Sequence, residues 1–256
     1  MNLKIVFEDA HLLVLYKPAG VPVQSARVGT KDCESMLKNY LYEKSLNEQK
    51  LCADQTPYLG IVHRLDQPVE GLLVFAKTST AAAELNRQLQ DGRMKKSYLA
   101  VLESVDNSVK KYRKNRKDGG KLNENVEKSV DNWSKIVDFL KKNGKENCSA
   151  IVQEGTPGAK KAVLRYRILQ AIEGRKLAEI QLLTGRHHQI RVQMAGMGTP
   201  LMGDRKYGRF QENVDSVDKS YPALCAYRLE FVHPKIKEPV VFQIKPENPF
   251  FAPFCI

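Results

Sequence analysis

Two short polar clusters hold most of the chemistry this sequence could perform. The first, His63-Arg64-Leu65-Asp66, places a carboxylate beside a guanidinium and an imidazole at the end of an apolar approach, Leu59-Gly60-Ile61-Val62. A carboxylate kept ionised by a nearby guanidinium can stabilise or capture a developing positive charge, or remove a proton. The plainer reading is a surface ion pair. The second cluster, Thr184-Gly185-Arg186-His187-His188-Gln189-Ile190-Arg191, opens a stretch with helical spacing. First-turn amides and the helix dipole favour an anion there, phosphate above all. His187 and Arg191, four apart, would share one face; the plainer reading is a solvated helix face.

The elements that must position these clusters follow from periodicity. Lys4 to Phe7 and Leu12 to Lys17 are apolar runs at hairpin distance, and Lys17-Pro18-Ala19-Gly20 ends the second. Thr30 or Asp32 can cap a helix to about Lys44 with Met36, Leu37, Tyr40 and Leu41 on one face. Gly71 to Ala76 reads as a buried strand. Ser79 can then cap a helix in which Ala81, Leu85 and Leu89 repeat, ending before Gly92. Strands are expected at Lys96 to Leu102, Ala162 to Leu169, Leu177 to Leu183, Cys225 to Val232 and Val240 to Ile244, with a helix at about Arg186 to Met197 stopped by Gly198 and Pro200. Strands outnumber helices and mostly join by short turns, which predicts an α+β fold with a mixed, mostly antiparallel sheet and flanking helices.

Composition bounds the class of protein. The 256 residues suit a single domain, 1–256, with an insertion, and 42% hydrophobic residues suffice for an ordinary core. Lys and Arg minus Asp and Glu is 41 − 29 = +12, and the pI of about 9.4 makes a polyanion the first partner to consider. Apolar runs are far below the roughly 20 residues that span a bilayer. The N-terminus has no signal-peptide pattern, and the five cysteines lie apart with no zinc-like spacing. A cytoplasmic protein with reduced thiols, no metal and no membrane association is therefore expected. Residues 104–135 read as a basic insertion or mobile loop, with six basic residues in the eight positions Lys110 to Lys117.

Together the segments resemble the RluA family of pseudouridine synthases. The matching motifs are Lys17-Pro18-Ala19-Gly20, then His63-Arg64-Leu65-Asp66 with Gly71-Leu72-Leu73-Val74, then Lys96-Ser97-Tyr98-Leu99-Ala100. They continue with Leu183 to Arg191 as quoted, and end in Gly198-Thr199-Pro200-Leu201-Met202-Gly203-Asp204 with Tyr207. No single motif is decisive, but their shared order along most of the chain is specific. The resemblance implies the pseudouridine synthase catalytic fold with a central RNA-binding cleft. It also implies isomerisation of uridine to pseudouridine in rRNA or tRNA, without cofactor or metal.

By the same resemblance Asp66, Tyr98 and Arg191 are the catalytic residues. Asp66 acts at the ribose, Arg191 keeps it ionised, and Tyr98 lies against the uracil face, where its alternative is a core tyrosine. Arg64, Arg186 and His187 are the implied RNA-binding residues. Arg64 would fill the stack left by the flipped nucleotide or pin the backbone; its alternative is an ion pair serving the fold. His63 is expected to support its loop, Lys17 to shape the cleft, and His188 could face solvent.

Two departures from the family pattern stand out. The usual Asp-x-x-Thr-Ser-Gly is here Asp66-Gln67-Pro68-Val69-Glu70-Gly71, so Glu70 is expected to point away or to meet a basic residue. The chain also starts directly on the catalytic strands, without room for the S4 domain of many relatives. A monomer without an obligate protein partner is expected. The competing readings are a catalytically silent RNA-binding relative and a base-excising hydrolase; the latter lacks an obvious second carboxylate for general acid work.

Overall fold

The computed structural model of the chain describes residues 4–27, 29–48, 56–103, 127–128, 132–208 and 221–256. In chain order the elements are β1 (Lys4–Glu8), β2 (Leu12–Lys17), α1 (Cys33–Asn47), β3 (Gly60–Ile61), β4 (Glu70–Ala76), α2 (Ser79–Gln90) and β5 (Lys95–Glu103). There follow β6 (Glu127–Lys128), β7 (Ser134–Asn143), β8 (Cys148–Val152), β9 (Lys160–Ile172), β10 (Arg175–Leu182), α3 (Gln189–Gly196), β11 (Leu224–Val232) and β12 (Pro239–Gln243). They fall into two compact units, one of Met1–Lys96 with Cys225–Glu247, the other of Ser97–Leu224 with Asn248–Ile256. No helix among the described residues is long and apolar enough to cross a membrane. The basic stretch Lys110 to Lys117 lies outside the described residues.

In the first unit β4 is the central strand, and every one of its residues is buried. It runs antiparallel to β2, from Leu12 opposite Ala76 to Lys17 opposite Gly71. It pairs antiparallel with β3 at Ile61 and Phe75, and in parallel with β11 at Cys225–Glu70 and Ala226–Gly71. That parallel pair makes the sheet mixed, as expected. β1 continues antiparallel beyond β2, and β12 beyond β11. Helix α2 lays Ala81 and Leu85 on Leu12, Val14, Leu72 and Val74, each buried leucine or valine contributing roughly 1.5–3 kcal/mol. Its cap is Thr78, whose side chain accepts from the Ala81 amide, one residue earlier than expected. Helix α1 is capped by Asp32, whose carboxylate and Ser35 form a reciprocal capping box.

In the second unit β10 is paired antiparallel with β5 and β9, and β9 with β7. β8 and β6 pair antiparallel with β7. The β9–β10 turn has Glu173 and Gly174 both at positive φ, 45° and 73°, the geometry that matches hairpin twist. β7 and β8 were not expected from the sequence. Ile136 and Leu140 are the buried residues of β7, and a spacing of four suits a strand face and a helix stripe equally.

Helix α3 is shorter than its pattern suggests. His188 takes the left-handed conformation, φ 54°, so Arg186 and His187 precede the helix and His187 does not share a helix face with Arg191. The Gln189 side-chain oxygen occupies the would-be anion position. It accepts from the Arg186 amide at 2.9 Å and from the Thr184 hydroxyl at 2.9 Å. Residues Gln189 to Met194 are all buried, so the solvated-face alternative also fails.

Candidate active site

In the first unit the tetrad alternates. His63 and Leu65 are buried, Arg64 is exposed and Asp66 is half-buried. His63 accepts from the Val74 amide through Nε2 at 3.4 Å, extending the β3–β4 ladder with a side chain. Burial, with Lys96 adding to it, lowers the His63 pKa well below the usual imidazole value. A neutral ring wedged under the loop is the supporting role the sequence suggested.

The loop carrying Asp66 is tied by a buried cation. The Val69 amide donates to the Asp66 carbonyl at 3.0 Å, closing a turn, and the Gly20 amide donates to the Gln67 carbonyl at 2.9 Å. Lys17, fully buried, donates through Nζ to the carbonyls of Pro18 (3.0 Å), Val21 (2.7 Å) and Gln67 (2.9 Å). One ammonium thus pins the Lys17–Val21 turn to the residue after Asp66. Burial pushes the Lys17 pKa down to about 8, against the raising pull of Cys33, Asp66 and Glu70. Sequence reasoning gave Lys17 only a shaping role. The available signal was a lysine between a five-residue apolar run and a Pro-x-Gly turn, whose carbonyls need donors.

Glu70 does not point away. It is buried, accepts from the Tyr16 hydroxyl at 2.8 Å and from the Glu247 amide at 3.2 Å, and its charge bears on Lys17. Burial raises the Tyr16 pKa above the usual phenol value, and Glu70 raises it further. Gly71 follows with φ 132°, where a Cβ would lie 2.5 Å from the Ala226 nitrogen and oxygen; glycine is required for this close approach to β11.

In the second unit Tyr98 is buried in β5, opposite Ile180 of β10. Arg191, in α3, is buried and bidentate on Asp204: Nε to Oδ2 and Nη2 to Oδ1, both 2.7 Å. Its guanidinium also lies over the Tyr207 ring at 5.1 Å. Asp204 Oδ1 further accepts from the Lys206 and Tyr207 amides at 3.0 and 3.2 Å. The carboxylate is thereby aimed, and it fixes the plane of the guanidinium. Asp204 and Tyr207 stood in the sequence only as motif members; nothing in their spacing from Arg191 announces the pairing.

The Tyr207 hydroxyl is hydrogen-bonded to His188 Nδ1 at 2.8 Å, and its oxygen accepts from the Ser149 amide at 2.8 Å. Burial, with Arg191 next in weight, pushes the His188 pKa down to about 3, and the ring is buried rather than facing solvent. His187 is half-buried and stacked on His188 at 3.8 Å. Its Nδ1 meets the Ser149 hydroxyl at 2.9 Å and its Nε2 meets Asn147 Oδ1 at 3.2 Å. Arg186 is exposed, and its Nε donates to the Lys161 carbonyl at 2.9 Å. Among the described residues no group of three or more His, Cys, Asp or Glu side chains gathers as a metal site.

The first unit thus carries a half-buried carboxylate, Asp66, on a pinned loop, and the second a buried guanidinium, Arg191, oriented by Asp204. The sequence profile of the RNA pseudouridylate synthase family matches residues 11–196, and the chain belongs to that family. It is 36% identical over 238 residues to ribosomal large subunit pseudouridine synthase D of Nitrosomonas europaea, covering 91% of this chain and 58% of that protein. It is 31% identical over 242 residues to the uncharacterised RNA pseudouridine synthase YhcT of Bacillus subtilis, covering 94% and 67%. The chain thus spans about three-fifths to two-thirds of the length of these relatives. Among solved structures, human RNA pseudouridylate synthase domain containing 4 superposes with a TM-score of 0.67 at 20% identity, covering 97% of this chain and 90% of that one. The fold is the pseudouridine synthase fold, α+β.

Proposed function

We propose that this protein isomerises uridine to pseudouridine in structured rRNA or tRNA. The N1–C1′ bond breaks, the uracil turns within the site, C5 bonds to C1′, and the C5 proton is replaced by one gained at N1, so product and substrate are isomers. Asp66 supplies the carboxylate at the ribose. Arg191, whose plane the fork to Asp204 fixes, serves as the counter-charge that keeps Asp66 ionised, and Tyr98 stacks on the uracil and assists loss of the C5 proton. Arg64 fills the gap left by the flipped nucleotide or holds its backbone. Arg186 and His187 bind phosphate, His187 through the ring edge that meets Asn147 at 3.2 Å. The reaction needs no cofactor, and the protein works as a cytoplasmic monomer.

The observation that carries this reading is the placement of Asp66. It stands half-buried on a loop whose backbone is pinned by a buried ammonium, while its neighbour Arg64 is exposed. Mass spectrometry of rRNA and tRNA incubated with the purified protein tests it. Pseudouridine formed without change of RNA mass is expected. Release of free uracil would make the protein a hydrolase, and RNA binding with neither outcome would make it a silent relative.

A further inference from the structure

Trp133, the only tryptophan of the chain, sits just before β7 at the edge of a strongly cationic sheet face. The guanidinium carbons of Arg165 and Arg167 both lie 4.9 Å from the centre of its ring. The two arginines alternate along β9 and so project from one face. Each is held by a cross-strand partner on β10: Arg165 Nε donates to Gln181 at 2.8 Å, and Arg167 forms a 2.7 Å ion pair with Glu179. Lys135 of β7 is directly opposite Arg165 and shares that face. Lys161 projects two pairs further along β9, and the exposed Arg186 is tethered to the Lys161 carbonyl. Two guanidinium groups therefore flank one indole, Lys135 and Lys161 share their sheet face, and Glu179 is engaged by Arg167. Glu179 is buried, while Arg165 is exposed and the Arg167 side chain keeps 42% of its accessibility.

We propose that this face of β7, β9 and β10 binds an unpaired segment of the RNA substrate, with a base stacking against the Trp133–arginine layer and phosphates resting on Lys135, Lys161 and Arg165. The inference rests on the proposed RNA-modifying activity and adds to it a docking surface on the second unit. A preformed stack of planar groups offers a sequence-tolerant platform for bases, and the surrounding cations suit a phosphate chain. An unpaired strand is favoured over a duplex because stacking requires a free base face. The assignment also accounts for cross-strand partners that hold the guanidinium planes while leaving Arg165 exposed. A purely structural ion pair does not require that exposure.

Because Trp133 is unique, its fluorescence reads the proposal directly. The full-length protein is titrated at low and high salt with a short oligouridylate strand and, separately, with a duplex RNA of the same length. The expected result is indole quenching by the single strand, reversed by salt and weak with the duplex. The Arg165→Gln, Arg167→Gln protein should bind the strand roughly 10-fold more weakly. Its slope of log affinity against log salt should be shallower by about 0.7, the loss of the one single-strand phosphate contact assigned to Arg165. Its single-turnover isomerisation at saturating enzyme should be unchanged. RNA binding by filter assay without any change in indole emission, or a double variant with wild-type affinity and salt slope, would overturn the proposal. Absence of pseudouridine formation with normal quenching would instead count against the proposed activity and leave the binding face standing.

Discussion

Replacing Lys17 by methionine should separate activity from stability. At pH 7 the folded protein carries a buried ammonium whose pKa lies at about 8 instead of 10.5. At roughly 1.4 kcal/mol per unit, holding that charge costs the fold about 3 kcal/mol. Three carbonyls accept from it, each contact contributing about 1 kcal/mol. Lys17→Met removes both effects while keeping the volume, so they cancel to within about 2 kcal/mol and Tm should move by no more than about 5 °C. The Gln67 carbonyl, however, loses its anchor one residue after Asp66, and a misplacement of about 1 Å at a reacting group costs on the order of 100-fold.

The expected outcome is a kcat about 100-fold lower with KM within a few fold, followed by release of tritium from RNA labelled at uridine C5. The sign of the pH effect follows from the depressed pKa. Between about pH 8 and 10.5 the unfolded chain binds the Lys17 proton and the folded one does not, so the wild type should gain up to roughly 3 kcal/mol relative to the variant as pH rises through that window. Cys33, Asp66 and Glu70 are the charged or titratable groups acting on Lys17 in this range. Wild-type kcat in the variant, or a stability gap that closes in the opposite direction, would refute the reasoning.

Asp204→Asn should destabilise by about 3–5 kcal/mol, because it leaves the buried Arg191 guanidinium without its carboxylate; thermal unfolding should show Tm lower by roughly 10 °C. Gly71→Ala combines a strained φ with overlap on the Ala226 backbone. It should cost more than about 3 kcal/mol and show as loss of soluble folded protein or a collapsed urea midpoint. Glu70→Gln turns one amide donor against either the Tyr16 hydroxyl or the Glu247 amide. A loss of about 1–3 kcal/mol is expected, read by the same denaturant titration, whereas an unchanged midpoint would mean the cluster relaxes freely.

The elements and motif positions were legible where one physical requirement dominates. The apolar run of β4 and the cap of α1 at Asp32 each follow from local chemistry. What escaped was non-local or ambiguous. The Arg191–Asp204 fork spans 13 positions, and the Lys17–Gln67 tie spans 50, so neither leaves a periodic trace. The start of α3 was misplaced because nothing in a run of polar residues marks His188 as left-handed, and the Gln189 side chain reaches back to Arg186 and Thr184 ahead of the helix. The donors of Glu70 escaped for the same reason, since Tyr16 and a backbone amide from 177 residues away leave no local trace.

The central claim is that the Asp66 carboxylate drives uridine isomerisation. The most direct measurement compares wild type and Asp66→Asn in release of tritium from C5-labelled rRNA and tRNA, alongside RNA affinity by filter binding. The account predicts multiple turnovers by the wild type. For Asp66→Asn it predicts no release above background with affinity within a few fold, since the amide keeps the size but not the charge. Measurable turnover by the Asn variant, or no release by the wild type on either RNA, would contradict it.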